Sequence, residues 1–398
     1  MLTAHTKIGT KVCLGYEYKK ETLLYLRNKE DFFCPVCGEQ VTLKLGDRRI
    51  FHFAHKRGST CRDFYENESI YHMEGKRQLF QWLVNQKISA ELEFYDKEIQ
   101  QRPDIMFLYN GKRYALEYQC STIPEKIFIK RTKTYFQNGY IPIWIIGSNH
   151  IKQKMRNVLS FSNFHFFFLR KTSDGSFYIP SYCPEKRLFH LVGSIISYSV
   201  KNAFVQSSNF EIENISVREL LDPKIVNQIS VDHWSTEIEK FNFYWSLHPG
   251  PRENSFLHEV YNQNLNLFLL PPEIGLPVRH SIFIETSPTI WQTYLYIDVL
   301  SKKNPKELIS LKEIEINFKK RINRKEIILR NFPQFYEVNH FIAVLDYLLL
   351  LVKLGILSRK GETLFEIQRN LTKSLTNRKK EENKLFFKQK YHHILSKI

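Results

Sequence analysis

The stretch Arg102–Ser121, RPDIMFLYNGKRYALEYQCS, constrains this chain more than any other. Asn110-Gly111 is a tight hairpin signal, because both residue types tolerate positive φ. On either side of it, RPDIMFLYN and KRYALEYQC read as strands. The turn therefore folds Asp104 back beside Glu117. Gln119 follows two residues later, and strand alternation points it to the face that Glu117 uses. Two carboxylates that converge repel each other unless a divalent cation sits between them. Mg²⁺ is held in this way, by one or two carboxylates, waters and a substrate phosphate. The plainer reading is a hairpin with ordinary surface acids. Against it, Glu117 and Gln119 lie inside the apolar run from Tyr114 to Cys120, where unpaired polar groups are costly.

The flanking pattern extends the unit. Leu79, Phe80, Leu83 and Val84 recur at helical spacing between Glu68 and Gln86, and AELEFYD then reads as a strand. After the hairpin, the segment from Pro124 to Asn138 reads as a helix, with Pro124 near its start and Gly139 just past its end. IPIWIIG closes the unit as a buried strand. The order αβββαβ describes an α/β core with mixed strand directions. On the first helix, Glu68, His72 and Lys76 are spaced to share one face. Read on its own, such a stripe is most simply an exposed ion-pair row. Lys126, Lys130, Arg131 and Lys133 on the second helix are candidates to face phosphates, as is Lys76.

Upstream, the chain reads as short strands around a knuckle, Cys34-Pro35-Val36-Cys37-Gly38. VCLGYEY and the run around Tyr25 precede it. VTLKL and RRIFHFAH follow, with Gly46-Asp47 as the turn between them. His52, His55 and Cys61 trail the two cysteines, which favours a tetrahedral structural Zn²⁺ over a redox pair. Four of the five candidates suffice. Strand alternation places His52 and His55 on opposite faces, which favours Cys34, Cys37, His55 and Cys61 with His52 as the substitute.

The block Arg102-Pro103-Asp104, separated by twelve residues from Glu117-Tyr118-Gln119 and flanked by helices, resembles the PD-(D/E)xK nuclease superfamily. More narrowly, CPxCG, HFAH, the His72…Lys76 helix, RPDI and LEYQCS are similar to the competence protein CoiA family. The resemblance is strong over residues 1–150 and loose beyond. It implies a restriction-endonuclease-like fold and a role in natural transformation: processing incoming DNA or promoting its recombination. Asp104, Glu117 and Gln119, with Glu68, are then the catalytic set, with Mg²⁺ or Mn²⁺ at Asp104 and Glu117. The superfamily's usual Lys is Gln119 here, so hydrogen bonds replace a positive charge near the scissile phosphate. Lys76 or Lys130 is placed to restore that charge. A catalytically weak or inactive DNA-binding recombination mediator is therefore the alternative.

Composition supports a nucleic-acid partner. The 398 residues carry a formal net charge of +17, which favours a polyanion, with nucleic acid ahead of a membrane surface. No signal peptide or uninterrupted apolar span is expected, since Asp346 and Lys353 interrupt the most apolar stretch. A cytoplasmic protein is the expectation, without a disulfide framework for its six cysteines. The expected domains are a zinc-knuckle β domain over 1–62, the nuclease-like core over 63–150, and a C-terminal region over 151–398. In the last, FSNFHFFFLR and SFYI read as aromatic-rich strands. A helix from Asn339 then runs through Gly355 into two strands about Gly361, a winged-helix-like pattern, and Lys373–Ile398 reads as a basic helical tail. The expected partners are single-stranded or branched DNA, and recombinase or competence-machinery proteins.

Overall fold

The computed structural model describes residues 1–46, 50–59, 61, 68–155, 157–226, 228–335 and 339–396. Its contacts divide the chain into two units. The first comprises residues 1–152, 164–192 and 207–224, and the second comprises 153–163, 193–206 and 225–398.

The first unit begins with a five-stranded antiparallel sheet built from β1 (Thr3–Thr6), β2 (Lys11–Cys13), β3 (Phe32–Phe33), β4 (Gln40–Lys44) and β5 (His52–His55). The run around Tyr25, expected as a strand, is instead α1 (Lys20–Lys29). Leu23 is its buried residue, Glu21 lies in its first turn and Arg27 and Lys29 in its last, which suits the helix dipole. The contiguous leucines had masked that charge order. The Gly46-Asp47 turn and the start of RRIFHFAH lie partly outside the described residues.

The rest of this unit follows the αβββαβ order. Helix α2 (Ile70–Asn85) starts where the Ser69 side chain accepts a hydrogen bond from the His72 amide, and it buries Leu79, Phe80 and Leu83. Next come β6 (Ala90–Leu92), β7 (Ile105–Tyr109) and β8 (Lys112–Gln119), paired antiparallel in sequence. Asn110 and Gly111 both have positive φ, as the two-residue turn between β7 and β8 requires. Helix α3 (Glu125–Gln137) buries Phe128, Thr132 and Tyr135, and Gly139 at φ 75° ends it. Strand β9 (Tyr140–Gly147) then pairs parallel to β8, as a crossover helix demands.

Strand β8 is buried from Tyr114 to Gln119 because it is covered on both faces. Tyr118 packs against Gly75 of α2, while its neighbour Glu117 bonds to Arg131 and Tyr135 of α3. Adjacent strand residues point to opposite faces, so the two helices lie on opposite sides of the sheet. Beyond β9 the unit adds Phe177–Cys183, parallel to β9, and its portions of Leu188–Ser197 and Asn202–Glu211. One apolar core joins Leu2, Leu43 and Phe53 of the small sheet to Phe80 of α2 and Leu116 of β8. FSNFHFFFLR is not a strand. It forms the short helix Asn163–Phe166 and a turn, and its consecutive phenylalanines are all buried.

The second unit is mainly helical. Its core centres on Trp291, Tyr347 and Leu351 and draws in Phe387, Tyr391 and Leu395 of the helix Asn377–Leu395. The basic tail is thus a docked helix. Ile342–Lys353 is a helix, Gly355 follows at φ 68°, and Leu357–Arg359 pairs antiparallel with Leu364–Ile367. Leu308–Ser310 completes that small sheet. Among the described residues no helix is long and apolar enough to cross a membrane.

Candidate functional site

Register assembles the acidic centre. Pairing of Leu92 with Ile105, and of Ile105 with Leu116, sets the three strands. One step further along, Glu93 stands beside Asp104 and Asp104 beside Glu117. The Glu93 amide donates to the Asp104 carbonyl at 2.9 Å, so the ladder continues through that step. Glu93 has φ 49°, a left-handed backbone that costs energy for a residue with a Cβ and ends β6 at this point.

The carboxylates are neutralised by protein cations, and not all by the same ones. Lys76 is fully buried on α2, and its ammonium lies 2.6 Å from Glu93 Oε1 and 3.5 Å from Asp104 Oδ1, with Glu68 as a third carboxylate partner. Burial alone would strip the proton from Lys76, but Glu68, Glu93 and Asp104 together hold its pKa above the ordinary value. Asp104 Oδ2 accepts from the Tyr118 amide at 2.8 Å and meets His72 Nε2 at 3.3 Å. Burial works to raise the Asp104 pKa, yet Lys76 and His72 outweigh it and bring the carboxyl down to about 2. In return Asp104 raises His72 against its own burial. Glu68, one residue before the helix cap, also meets the Met1 ammonium at 2.9 Å.

Glu117 is held separately, on the α3 face. Arg131 Nη2 and the Tyr135 hydroxyl both donate to its Oε1 at 2.5 Å. Burial and the nearby Glu117 charge keep the Tyr135 phenol well above its usual pKa. Burial works against the Arg131 charge, but Glu117, then Tyr135 and Asp104, outweigh it and raise its pKa, so one guanidinium feels both acids. Gln119 Nε2 donates to the Ser121 carbonyl at 3.0 Å and to its hydroxyl at 3.2 Å.

Several expected residues therefore converge, with adjustments. His72 and Lys76 do share a face of α2 that looks onto Asp104, whereas Glu68 precedes the helix cap and joins the group through Lys76. Lys76 is not exposed to a phosphate as expected, because three carboxylates enclose its ammonium. Arg131 is turned toward Glu117, where a buried, unpaired acid would be costly. Lys130, with Lys126 and Lys133, is exposed on α3. Asp104 and Glu117 adjoin in register, but they do not join Glu68 in a tight cluster of three donors. Among the described residues only the cysteine quartet draws three or more such donors together. Sequence reasoning missed Glu93. Its Oε2 accepts from the Leu2 and Thr3 amides and the Thr3 hydroxyl, tying β1 to the acidic centre. The only signal was a second acid inside the AELEF strand, and Glu91 offers the same signal while lying exposed beside Lys11.

The quartet consists of Cys34, Cys37, His55 and Cys61, whose donor atoms all lie within 4.8 Å of one another. Cys34 Sγ stands 4.0 Å from Cys61 Sγ, and Cys37 Sγ stands 3.4 Å from His55 Nε2. Tetrahedral bonds of about 2.3 Å to sulfur and about 2.0 Å to nitrogen give edges of roughly 3.8 and 3.5 Å. The donor set thus fits a tetrahedral metal ion. The knuckle turns at Gly38, φ 73°, and the Val36 amide points at Cys34 Sγ at 3.4 Å. His52 stands outside the set, with its Nδ1 2.9 Å from the Ile50 carbonyl.

Both centres lie in stretches that match known family models. Three family models match in chain order: the N-terminal domain of competence protein CoiA over residues 15–64, its nuclease-like domain over 68–225, and its C-terminal domain over 229–382. The chain is also similar to Competence protein CoiA of Bacillus subtilis (strain 168), 32% identical over 301 residues, which cover 75% of this chain and 80% of that protein. The chain belongs to the competence protein CoiA family. The acidic centre from Glu68 to Arg131 falls within the CoiA nuclease-like domain. The quartet falls in the CoiA N-terminal domain, and the helix Ile342–Lys353 with its two strands in the C-terminal one. No solved structure gives a significant match.

Proposed function

We propose that this CoiA-family chain is a divalent-metal-dependent DNA nuclease of PD-(D/E)xK type that processes incoming DNA during natural transformation. The register that sets Asp104 beside Glu117, with Gln119 two residues on and Lys76 at Asp104, carries this reading. Asp104 and Glu117 offer the hard oxygen donors that Mg²⁺ or Mn²⁺ prefers, and are the residues that would hold it. Such an ion supplies an activated water and charge neutralisation at the phosphate. Lys76 keeps Asp104 ionised and fixes its position. Arg131 and Tyr135 hold Glu117 in position by hydrogen bonds, and Gln119 offers an amide to orient a phosphate or water. In this reading the cysteine quartet holds Zn²⁺ and is closed to substrate, and the exposed lysines of α3 approach the DNA backbone. The helix Ile342–Lys353 and the strands after it are proposed as a winged-helix-like element. A cytoplasmic site of action suits this role.

The alternative is a recombination mediator that binds DNA on the same fold without cutting it. Two observations favour it: protein cations already neutralise the acids, and Gln stands where a Lys is usual. The deciding experiment is cleavage of single-stranded, duplex and branched DNA with Mg²⁺ and with Mn²⁺. The nuclease reading expects products that disappear in Asp104→Asn and Glu117→Gln. If wild type leaves every substrate intact with both metals, the mediator reading replaces it. That reading expects salt-sensitive DNA binding, and transformation that tolerates Asp104→Asn.

A further inference from the structure

The second unit contains a cavity of about 290 Å³ that neither the acidic centre nor the cysteine quartet uses. It lies among helix Val231–Leu247, the segment 267–277 and helix Asn377–Leu395. Trp234, Ile238, Leu270, Leu276 and Phe387 make its walls apolar. Thr289, only 3% exposed, also contributes to the lining.

Lys380, Lys384 and Lys388 also line the cavity, and their spacing of four puts them on one helical face. They already grip carboxylates. Lys384 lies 2.5 Å and Lys380 3.4 Å from Glu239, and Lys388 lies 3.1 Å from Asp232. Three of the six lysines and arginines of that helix face the cavity, against the one lining carboxylate Glu239. The apolar surface continues outward, with the lining residues Phe243 50% and Phe268 39% exposed. An apolar hollow, a carboxylate clamp beside it and an apolar apron together fit one class of occupant.

We propose that this cavity docks an acidic peptide segment of a partner protein, which inserts a bulky apolar side chain while its carboxylates replace Glu239 and Asp232 on the three lysines. Single-stranded DNA fits less well, since the polar edges of its bases would find few partners on the walls of Ile238, Leu270 and Leu276. The proposal is independent of the nuclease reading.

The test is fluorescence anisotropy on the full chain, using a fluorescein-labelled peptide of four aspartates followed by leucine and phenylalanine. The proposal expects saturable binding that is lost when serine replaces the two apolar residues. Ser235→Phe fills the cavity from a half-buried position and should abolish binding. Lys384→Glu should weaken it about tenfold, as loss of a well-placed interface charge does. Glu239→Gln, which removes the internal competitor, should tighten it. Lys380→Glu combined with Lys384→Glu gives a second route to the same loss should Ser235→Phe fail to fold. Absence of peptide binding, binding indifferent to the lysine substitutions, or displacement of the peptide by equimolar oligothymidylate would each overturn the proposal, the last in favour of a DNA surface.

Discussion

Replacing Lys76 by methionine tests how the acidic centre is held together. Methionine keeps much of the apolar stem and removes the charge. The Lys76 ammonium has no solvent exposure and lies 2.6 Å from Glu93, itself 1% exposed, so Glu93 loses its closest cation. Glu68 and Asp104, at 15% and 16%, keep some access to water and suffer less. Breaking one side of a buried ion pair typically costs about 3–5 kcal/mol. That is the expected loss at neutral pH, read from urea unfolding followed by tryptophan fluorescence. The pH dependence separates charge from packing. In wild type, Glu68, Glu93 and Asp104 are all held below their ordinary pKa values. Asp104 thus contributes stability that is fully present above its unfolded value of 3.8 and is lost as pH falls through about 2. Without the ammonium, burial pushes Glu93 the other way. The variant then takes up a proton on folding, and its deficit should shrink as the pH is lowered from neutral toward the carboxylate range. Adding Glu93→Gln, which removes the charge and keeps an acceptor for the Leu2 and Thr3 amides, should recover much of the loss. If Lys76→Met is as stable as wild type, or its deficit ignores both pH and Glu93→Gln, the account of the centre as a charge-balanced cluster is wrong.

Other expectations follow from single contacts. A Cβ on Gly75 would stand 2.0 Å from the Tyr118 ring, which is buried, so Gly75→Ala should lower stability by about 1–2 kcal/mol although alanine is the better helix former, and thermal unfolding reads this directly. If the quartet holds zinc as proposed, Cys37→Ser should lower the zinc content measured by elemental analysis and destabilise the first unit, whereas His52→Ala should leave zinc content unchanged; equal losses would put His52 in the ligand set. His72 has a raised pKa, so its cation contributes stability below the ordinary value of 6.5 that is lost as pH rises through the raised value. Its NMR titration midpoint should lie above 6.5 and move down in Asp104→Asn, and a wild-type midpoint at or below 6.5 would contradict the Asp104 contact.

Local patterns in the sequence carried much of the site. Asn110-Gly111 determines a two-residue hairpin, and with it the pairing of Asp104 with Glu117, because only such residues tolerate that backbone. The spacing of Cys34, Cys37, His55 and Cys61, with strand alternation against His52, likewise marked the four donors that meet. Charge order in a short segment was harder to read, and α1 around Tyr25 was mistaken for a strand because its contiguous leucines hide a helical face with one buried residue. What no local pattern contains is the partner of each charge. Lys76 looks like any helix-surface lysine until α2 lies on the sheet, where the close approach at Gly75 against Tyr118 carries it into a dry space beside Glu68, Glu93 and Asp104. Glu93 and Glu91 are alike in sequence, and only the third dimension gives one a buried ammonium and the other an exposed lysine. The sequence by itself thus determined which residues could meet along strands and turns, because those distances are set by backbone geometry. The tertiary structure decided which charges are buried together, because burial depends on chain segments distant in sequence, and burial is what makes those charges strong.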